Sequence, residues 1–218
     1  MITKLPPWVW TGAGILAFIA GMVNVVGLLG FDHQAVTHLT GTTSLMASAM
    51  AHREMAAVWH LAAVVASFLA GAVLSGFLVR DHTLKLGRHY GVALFVESGL
   101  LIMAALMLQH HNKSGIYAAS AACGLQNAMV STFSGAVVRT THLSGLFTDL
   151  GILLGQAMRG LPWDRLRFKL CFTIITSFTG GGIAGSLAFP ALGYATLYIP
   201  AALTGGVALL YSLYCLRR

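Results

Sequence analysis

The sequence predicts an all-α, polytopic membrane helical bundle. Its predicted architecture is six transmembrane helices plus two re-entrant half-helices, arranged as two inverted-topology repeats. Three observations lead to this fold class. The chain is 57% hydrophobic and only 9% charged, whereas a soluble domain carries about 25% charged residues. It contains several long apolar runs. Nearly the same pentapeptide also occurs twice, as THLTG at 37–41 and as THLSG at 141–145.

The long apolar runs supply the transmembrane helices in chain order. Each is close to the ~20 residues that a helix needs to cross a bilayer. The first is interpreted as a retained span, because its apolar core is longer than that of a signal peptide and no A-x-A-like cleavage site follows it. No alternating ten-residue strands of a membrane β-barrel are present. The six runs lie at about 8–30, 56–79, 90–109, 115–137, 168–189 and 192–215.

Two shorter segments, at about 37–52 and 141–158, begin with the pentapeptides, and further matches surround them. GMVN at 21–24 matches GLQN at 124–127, and SFLAG at 67–71 matches SFTGG at 177–181. The spacing between copies changes most at the polar loop 159–169, as expected for a diverged duplication. We interpret residues 1–218 as a single integral membrane domain with repeats at about 8–109 and 115–215.

The distribution of Lys and Arg decides whether the short segments cross the membrane. If they cross, with the N-terminus cytoplasmic, four basic residues lie outside: Arg80, Lys85, Arg88 and Arg139. If they return to the side they entered from, only Arg53 and Lys113 lie outside, which agrees better with the positive-inside rule. Each segment is also only ~22–27 Å long as a helix. The sequence therefore predicts six crossings, cytoplasmic termini, and an odd number of crossings per repeat, which inverts the second copy.

The pentapeptides are predicted to start half-helices near the middle of the bilayer. Thr37 and Thr141 are the predicted N-caps, since a threonine oxygen can accept from the first free amides. Two helix N-termini that face each other would offer positive dipole ends and N–H donors to an anion or a polar acceptor. His38 and His142 have three interpretations: a bond to a backbone carbonyl that fixes the loop, contact with substrate or a proton, or a metal site with His60. No metal-ligand spacing supports the last.

Further polar and small residues lie within the apolar sequence. Asn24, Gln126 and Asn127 either line the same cavity or hold helices together by hydrogen bonds. Glu97 and Asp149 lie within apolar sequence, where a carboxyl group indicates proton coupling or a locally paired structural acid. Close helix packing is the interpretation for four glycines, Gly71, Gly76, Gly181 and Gly185. The predicted substrate-binding residues are Thr37, His38, Thr40, Gly41, Thr141, His142, Ser144, Gly145, Asn24, Gln126 and Asn127.

Charge and cysteine content exclude other classes of function. The net charge of +7 and the pI of 9.7 are attributed to membrane orientation, and no basic patch interleaved with aromatic residues indicates nucleic-acid binding. The cysteines are interpreted as packing residues because they are odd in number and widely spaced. We expect no metal, no cofactor and no catalytic residue. The expected partners are the lipid bilayer and an unidentified small solute, with homo-oligomerisation left open. The three cysteines are Cys123, Cys171 and Cys215.

A GxxN helix, a THL[ST]G segment and the run GLQNAMVSTFSGAVVRTTHLSGLFTDLGILLG at 124–155 together resemble the YoaK family. These are multi-pass bacterial inner-membrane proteins that carry a domain of unknown function. The resemblance covers nearly the whole chain and implies an inner-membrane location in a bacterium. It implies no substrate, reaction or catalytic residue.

The leading functional hypothesis is a transporter or channel for a small polar or anionic solute, because inverted repeats with broken helices are common in transporters. A structural or accessory membrane subunit is one alternative. An intramembrane hydrolase with Ser134 as nucleophile is the other. We do not expect the protein to be an enzyme. A Ser–His pair needs one histidine beside one serine, and here the histidine motif is duplicated while the stretch that contains Ser134 is not.

Overall fold

The computed structural model describes residues 7–30, 37–79, 89–134 and 139–216. All regular structure in these ranges is helical, which confirms the predicted all-α class. Each of the eight segments predicted from apolarity corresponds to one α-helix. A 3₁₀ turn, Gly193–Leu197, delays the start of the last helix beyond the predicted residue 192. The helices are α1 (Pro7–Gly30), α2 (Leu39–Ala51), α3 (Met55–Leu78), α4 (His89–Gln109), α5 (Gly115–Ser134), α6 (Leu143–Met158), α7 (Arg165–Leu192) and α8 (Tyr198–Leu216).

Four stretches of the described chain are long and apolar enough to cross a membrane. They are Trp10–Gly30, Met55–Leu78, His89–Gln109 and the continuous Arg165–Leu216, which contains both α7 and α8. The helix α5 is not among them. It carries several Ser, Gln and Asn side chains and is largely buried. Large apolar side chains remain exposed along these helices, including Trp59, Phe77 and Leu187, as expected of surfaces that face lipid.

The helices α1 and α7 approach each other closely at two glycines. A Cβ atom added to Gly21 would overlap the carbonyl oxygen of Phe178, and one added to Gly181 would overlap that of Phe18. Further along, Gly185 lies against Met22 of α1. Because residue numbers rise together along this contact, α1 and α7 run parallel. Small residues at such crossings let the two backbones come within van der Waals contact.

The helices α3 and α5 pack in the same manner. A Cβ atom on Gly71 would overlap the carbonyl oxygen of Ala121, and one on Gly124 would overlap that of Phe68. These helices also run parallel, since Ser120 Oγ donates to the Val64 carbonyl at 2.9 Å one turn earlier. Gly124 and Gly71 match Gly21 and Gly181 in the aligned GxxN and SFxxG stretches. The four glycines therefore make two contacts of one kind.

The helices α4 and α8 pack against each other and run antiparallel. Ser98 Oγ donates to the Ala201 carbonyl at 2.8 Å. Ser212, later on α8, lies beside the earlier Gly91. The helix α4 is antiparallel to α5 as well, because Gly115 at the start of α5 packs on Leu108 near the end of α4.

Buried apolar residues form two cores, one above the other. We call the core that contains the first half of α1 the lower core. It also contains the first halves of α4 and α7 and the last parts of α3, α5 and α8. The upper core contains the end of α1, the later part of α4 and the starts of α3, α5 and α8. Consecutive long helices therefore alternate in direction: α1, α4 and α7 run upward, and α3, α5 and α8 run downward.

The two short helices start at mid-height and leave in opposite directions. At the start of α2, the His38 ring lies 6.3 Å from the ring of Phe178, which packs at the middle of α1. The helix then rises along α3 to a turn at Arg53, where α3 begins. The helix α6 starts beside Gln126 near the middle of α5 and descends along α7 to its start. With 13 and 16 residues, α2 and α6 are ~20 and ~24 Å long.

The loop predicted at 159–169 is shorter than expected. The helix α7 already begins at Arg165, so Arg165, Arg167 and Lys169 lie on its first turns rather than in a loop. Asp164 causes the early start, because its Oδ1 accepts from the Arg167 amide at 3.0 Å and caps the helix. A carboxylate at this position also interacts favourably with the helix dipole.

Candidate functional site

Each pentapeptide begins a short helix, but the predicted threonine caps are wrong by one residue. His38 and His142 are the N-cap residues of α2 and α6, and neither side chain caps its helix. In the first copy the physical reason is a distant partner. The hydroxyl of Thr37 donates to Asn24 Oδ1 at 2.5 Å in the protein interior, so it is not directed at the first turn of α2.

The first residue of each pentapeptide is buried and the histidine is exposed. Thr37 and Thr141 are 6% and 5% exposed, whereas His38 and His142 lie at the surface of the described bundle. Each copy thus fixes its threonine inside and presents its imidazole outward. Thr40, Gly41 and Ser144 are exposed too, and Gly145 is half-buried.

The two pentapeptides differ at their final glycine. The ring of His142 folds over Gly145 so closely that a Cβ atom there would overlap its Nδ1. Gly41 has no neighbouring atom within 4 Å of the corresponding position. The glycine therefore accommodates a folded imidazole in the second copy only.

One hydroxyl in each short helix bonds back onto its own backbone. Ser44 Oγ donates to the Thr40 carbonyl at 2.9 Å, and Thr148 Oγ1 donates to the Ser144 carbonyl at 2.9 Å. The two bonds occupy matching positions in the two copies. Such bonds satisfy an exposed hydroxyl without water and frequently bend a helix.

Gln126 is the centre of a second buried polar group. Its Nε2 donates to Glu97 Oε1 at 3.0 Å and to the Leu16 carbonyl at 3.3 Å. Its Oε1 accepts from Thr140 Oγ1 at 3.4 Å. The amide thus joins α1, α4 and α5 to the segment that leads into the second pentapeptide.

The predicted site residues fall into two clusters rather than one. Asn24, Thr37 and His38 lie together at the start of α2, and Gln126 and Glu97 lie together near the start of α6. The helices α2 and α6 do not contact each other. Thr140 was not predicted as a site residue, because the first copy has Val36 at that position. The doubled threonine in TTHLSG was the signal that could have identified it.

Two further buried polar atoms flank this part of α5. Within the described residues, Asn127 Oδ1 and Ser75 Oγ have no hydrogen-bond partner, and neither has Glu97 Oε2. Ser75 lies one turn beyond Gly71 on α3. Because α3 and α5 run parallel and Gly71 faces Ala121, Ser75 lies level with Leu125. All three residues therefore lie at a similar height in the bundle, near the level of Leu125.

Asp149 lies on the outer side of the bundle. Its Oδ1 accepts from Arg167 at 2.7 Å, and the two side chains are 36% and 45% exposed. A half-exposed ion pair contributes ~0.2–1 kcal/mol to stability. Of the two acids predicted for proton coupling, Asp149 is paired with a cation at the surface and Glu97 is buried.

His60, the third histidine considered for a metal site, bonds elsewhere. Its Nδ1 lies 2.9 Å from the hydroxyl of Tyr117. No group of three or more His, Cys, Asp or Glu side chains able to hold a metal ion occurs in the described part of the chain. Cys123 and Cys171 are buried and unpaired, as expected of packing residues.

Some residues of the predicted site lie outside the described ranges. Segments 31–36 and 135–138, which precede the pentapeptides, are not among the described residues, and neither is the side chain of Ser134. An open depression of about 450 Å³ lies at the lower end of the bundle, away from the pentapeptides. It is lined by Trp10, Arg165, Leu166 and Lys169.

Apolar helices of membrane-spanning length, with two half-length helices between them, indicate the class of helical membrane proteins. A family model described as "Protein of unknown function (DUF1275)" matches residues 12–210. The chain belongs to this family, which confirms the resemblance to an uncharacterised family of the YoaK type. Comparisons with curated proteins and with solved structures gave no match.

Proposed function

We propose that the protein is a transporter or channel for a small polar or anionic solute, with its path at the starts of α2 and α6. The observation that carries this proposal is that both short helices begin at mid-height and leave toward opposite ends. Non-helical backbone at membrane depth is tolerated only where it is buried in protein or lines a water-filled cavity. The exposed Thr40, Gly41 and Ser144 suit such a cavity better than lipid.

The directions of the long helices support six crossings. The helix α1 runs upward and α3 downward, although α2 lies between them in sequence. A spanning α2 would make α1 and α3 parallel. The same reasoning applies to α5, α6 and α7. Two re-entrant segments and six transmembrane helices are consistent with this arrangement.

The paired glycine contacts support an inverted repeat. The first helix of each repeat packs against the SFxxG helix of the other, as Gly21 does with α7 and Gly124 with α3. The helix α1 runs upward and α5 downward, as required for copies related by an axis in the membrane plane. This is a recurring architecture of secondary transporters.

The charge distribution supports cytoplasmic termini. Arg159, Arg165 and Lys169 lie at the lower end of the bundle, where α1 begins and α8 ends, and Arg53 lies at the upper end. An excess of Lys and Arg marks the cytoplasmic face. We assign the lower end to the cytoplasm of a bacterium and the protein to its inner membrane, and we assign no catalytic role to any residue.

Helix N-termini give the proposed path its selectivity. Each short helix presents free amides and the positive end of its dipole at mid-height, which favours an anion or a carbonyl-type acceptor over a simple cation. His38 and His142 add one exposed imidazole to each start. Both can donate a hydrogen bond to a solute that passes.

The test is flux into liposomes that contain the purified protein, screened with small anions and neutral polar solutes. We expect His38→Ala with His142→Ala to lower the flux of the active solute about tenfold or more, because a hydrogen bond to a charged group contributes ~1.5–3 kcal/mol. His52→Ala with His110→Ala is the matched control, since both histidines are exposed at turns. Absence of flux for every solute, or equal flux in the two double variants, contradicts the proposal and favours an accessory role.

A further inference from the structure

Glu97 is the most deeply buried acid of the described chain, with 2% of its surface exposed. Its Oε1 accepts one hydrogen bond from the neutral amide of Gln126, and its Oε2 has no partner within the described residues. No Lys or Arg occurs on α1, α3, α4, α5 or α8, the helices that surround it. An ionised Glu97 would be a buried anion without a counter-charge, which costs several kcal/mol. The carboxyl group is therefore suited to hold a proton.

The neighbouring titratable groups do not replace a counter-cation. Cys123 on α5 is buried and close enough to interact electrostatically with Glu97. Tyr211 on α8 lies two turns away beside Gly91, and Tyr90 lies nearer the lower end of α4. His60 on α3 bonds Tyr117 in the upper half, and Tyr194 of the 3₁₀ turn bonds Gly30 at the upper end. The helix α1 carries no titratable side chain.

A metal cation fits the site poorly. The nearest polar group to Glu97 Oε1 is an N–H donor, which repels a cation, and Gln126 Oε1 is already occupied by Thr140. A calcium ion needs about six to eight oxygen ligands. A proton needs only one free carboxylate oxygen, and Oε2 is free of described partners.

The amide of Gln126 links this carboxyl group to the second pentapeptide. Both its ends are in use, the nitrogen toward Glu97 and Leu16 and the oxygen toward Thr140. Thr140 lies two residues before His142, the N-cap of α6. A hydrogen bond to a carboxylate is roughly twice as strong as one to a neutral carboxyl group. Gain or loss of the proton thus changes how firmly the rigid amide holds the segment that starts α6.

We propose that Glu97 is an exchangeable proton site whose occupancy controls the second pentapeptide through Gln126 and Thr140. This deepens the proposed function, on which it rests for its purpose, by naming the proton as the coupling ion. Asp149 has no part in it, because Arg167 holds that carboxylate at the surface. Within the described residues, Asn127 Oδ1 on α5 and Ser75 Oγ on α3 are also buried without a hydrogen-bond partner.

Dicyclohexylcarbodiimide tests the site directly, since it reacts with protonated carboxyl groups in apolar surroundings. The purified full-length protein is treated across a pH series, and the adduct on each carboxyl is measured by peptide mass spectrometry. We expect an adduct on Glu97 that falls about tenfold per pH unit above its midpoint, and little on Asp149 or the exposed Glu54. Absence of the adduct at every pH, or the same extent at every pH, overturns the proposal.

Maleimide labelling tests the link to the pentapeptide. In a background with Cys123, Cys171 and Cys215 replaced by alanine, Ser144→Cys reports on the start of α6. Met158→Cys lies at the end of α6, where Met158 is 90% exposed. Its labelling rate corrects for the pH dependence that comes from ionisation of the thiol itself. We expect the ratio of the two labelling rates to change with the same midpoint as the adduct, and Glu97→Gln to hold the ratio at its low-pH value. A ratio that does not depend on pH, or a dependence that survives Glu97→Gln, overturns the coupling.

Neither measurement uses a transported solute, so the two proposals fail separately. A titrating Glu97 with no flux for any solute contradicts the transport function and leaves the proton site standing. Flux with a Glu97 that does not titrate contradicts the proton site alone. Glu97→Gln changes the side-chain volume little. If this variant does not fold, the pH dependence of the adduct on wild-type Glu97 still tests the proton site.

Discussion

Gly181 and Gly76 both lie on long apolar helices, but only Gly181 faces a neighbouring backbone. The difference comes from the partner helix rather than from local sequence. Gly181 lies over the Phe18 carbonyl, whereas nothing lies within 4 Å of the position of a Cβ atom on Gly76. The prediction of close packing is therefore confirmed for Gly71, Gly181 and Gly185 and wrong for Gly76.

This contrast gives a stability prediction at the residue scale. Gly181→Ala forces α1 and α7 apart and should lower the free energy of unfolding by ~1–3 kcal/mol, as other overpacked sites do. Gly76→Ala should be neutral or stabilising by up to ~1 kcal/mol, because glycine is a poor helix former. Thermal unfolding of both variants in one detergent measures the difference. Equal transition temperatures would show that the α1–α7 crossing is not as close as described.

Some side-chain contacts could not be predicted from the sequence, because the partners belong to other elements. Thr37 is a plausible cap by its local sequence, but its hydroxyl bonds Asn24, which is distant in the chain. Glu97 was predicted as a buried acid from its apolar neighbours. Its partner Gln126 and the missed Thr140 belong to other elements, so their contact depends on packing that no local pattern encodes.

At the scale of elements, the caps distinguish helices that start by local chemistry from helices that start by packing. Asp164 caps α7 through the Arg167 amide. Glu54 precedes α3 in the same position without a side-chain cap. The start of α3 is instead fixed by the turn at Arg53, whose φ of 60° closes the chain between α2 and α3.

We expect Asp164→Ala to destabilise the protein by ~0.5–2 kcal/mol, since it removes a capping bond and a favourable charge at the helix N-terminus. Glu54→Ala is the matched control and should change stability by less than about 0.5 kcal/mol. Thermal unfolding again measures both. Equal losses would mean that the first turn of α7 is held by other contacts.

The apolar helices themselves were predictable from sequence, because a run of about 20 apolar residues has few alternatives in a membrane protein. Their ends were less so. The start of α8 is displaced by the 3₁₀ turn at Gly193, where φ is 54°. The start of α7 is advanced by the Asp164 cap. Both depend on single residues that interrupt or extend an otherwise continuous apolar pattern.

At the scale of the whole molecule, two short helices between six long ones of alternating direction organise the bundle. The helix α4 packs against both α5 and α8. Glu97 of α4 meets Gln126 of α5, and Asn24 of α1 holds Thr37 at the start of the other short helix. The proposed path therefore depends on α2 and α6 returning to the sides they enter from.

Cysteine accessibility in intact cells and in inverted membrane vesicles tests that arrangement most directly. Arg53→Cys and Lys113→Cys mark the upper end of the bundle, and Arg159→Cys marks the lower end. With six crossings, a membrane-impermeant maleimide should label the first two only from the periplasmic side and the third only from the cytoplasmic side. Labelling of all three from the same side would mean that α2 and α6 cross the membrane, and the mid-height path inferred from them would be wrong.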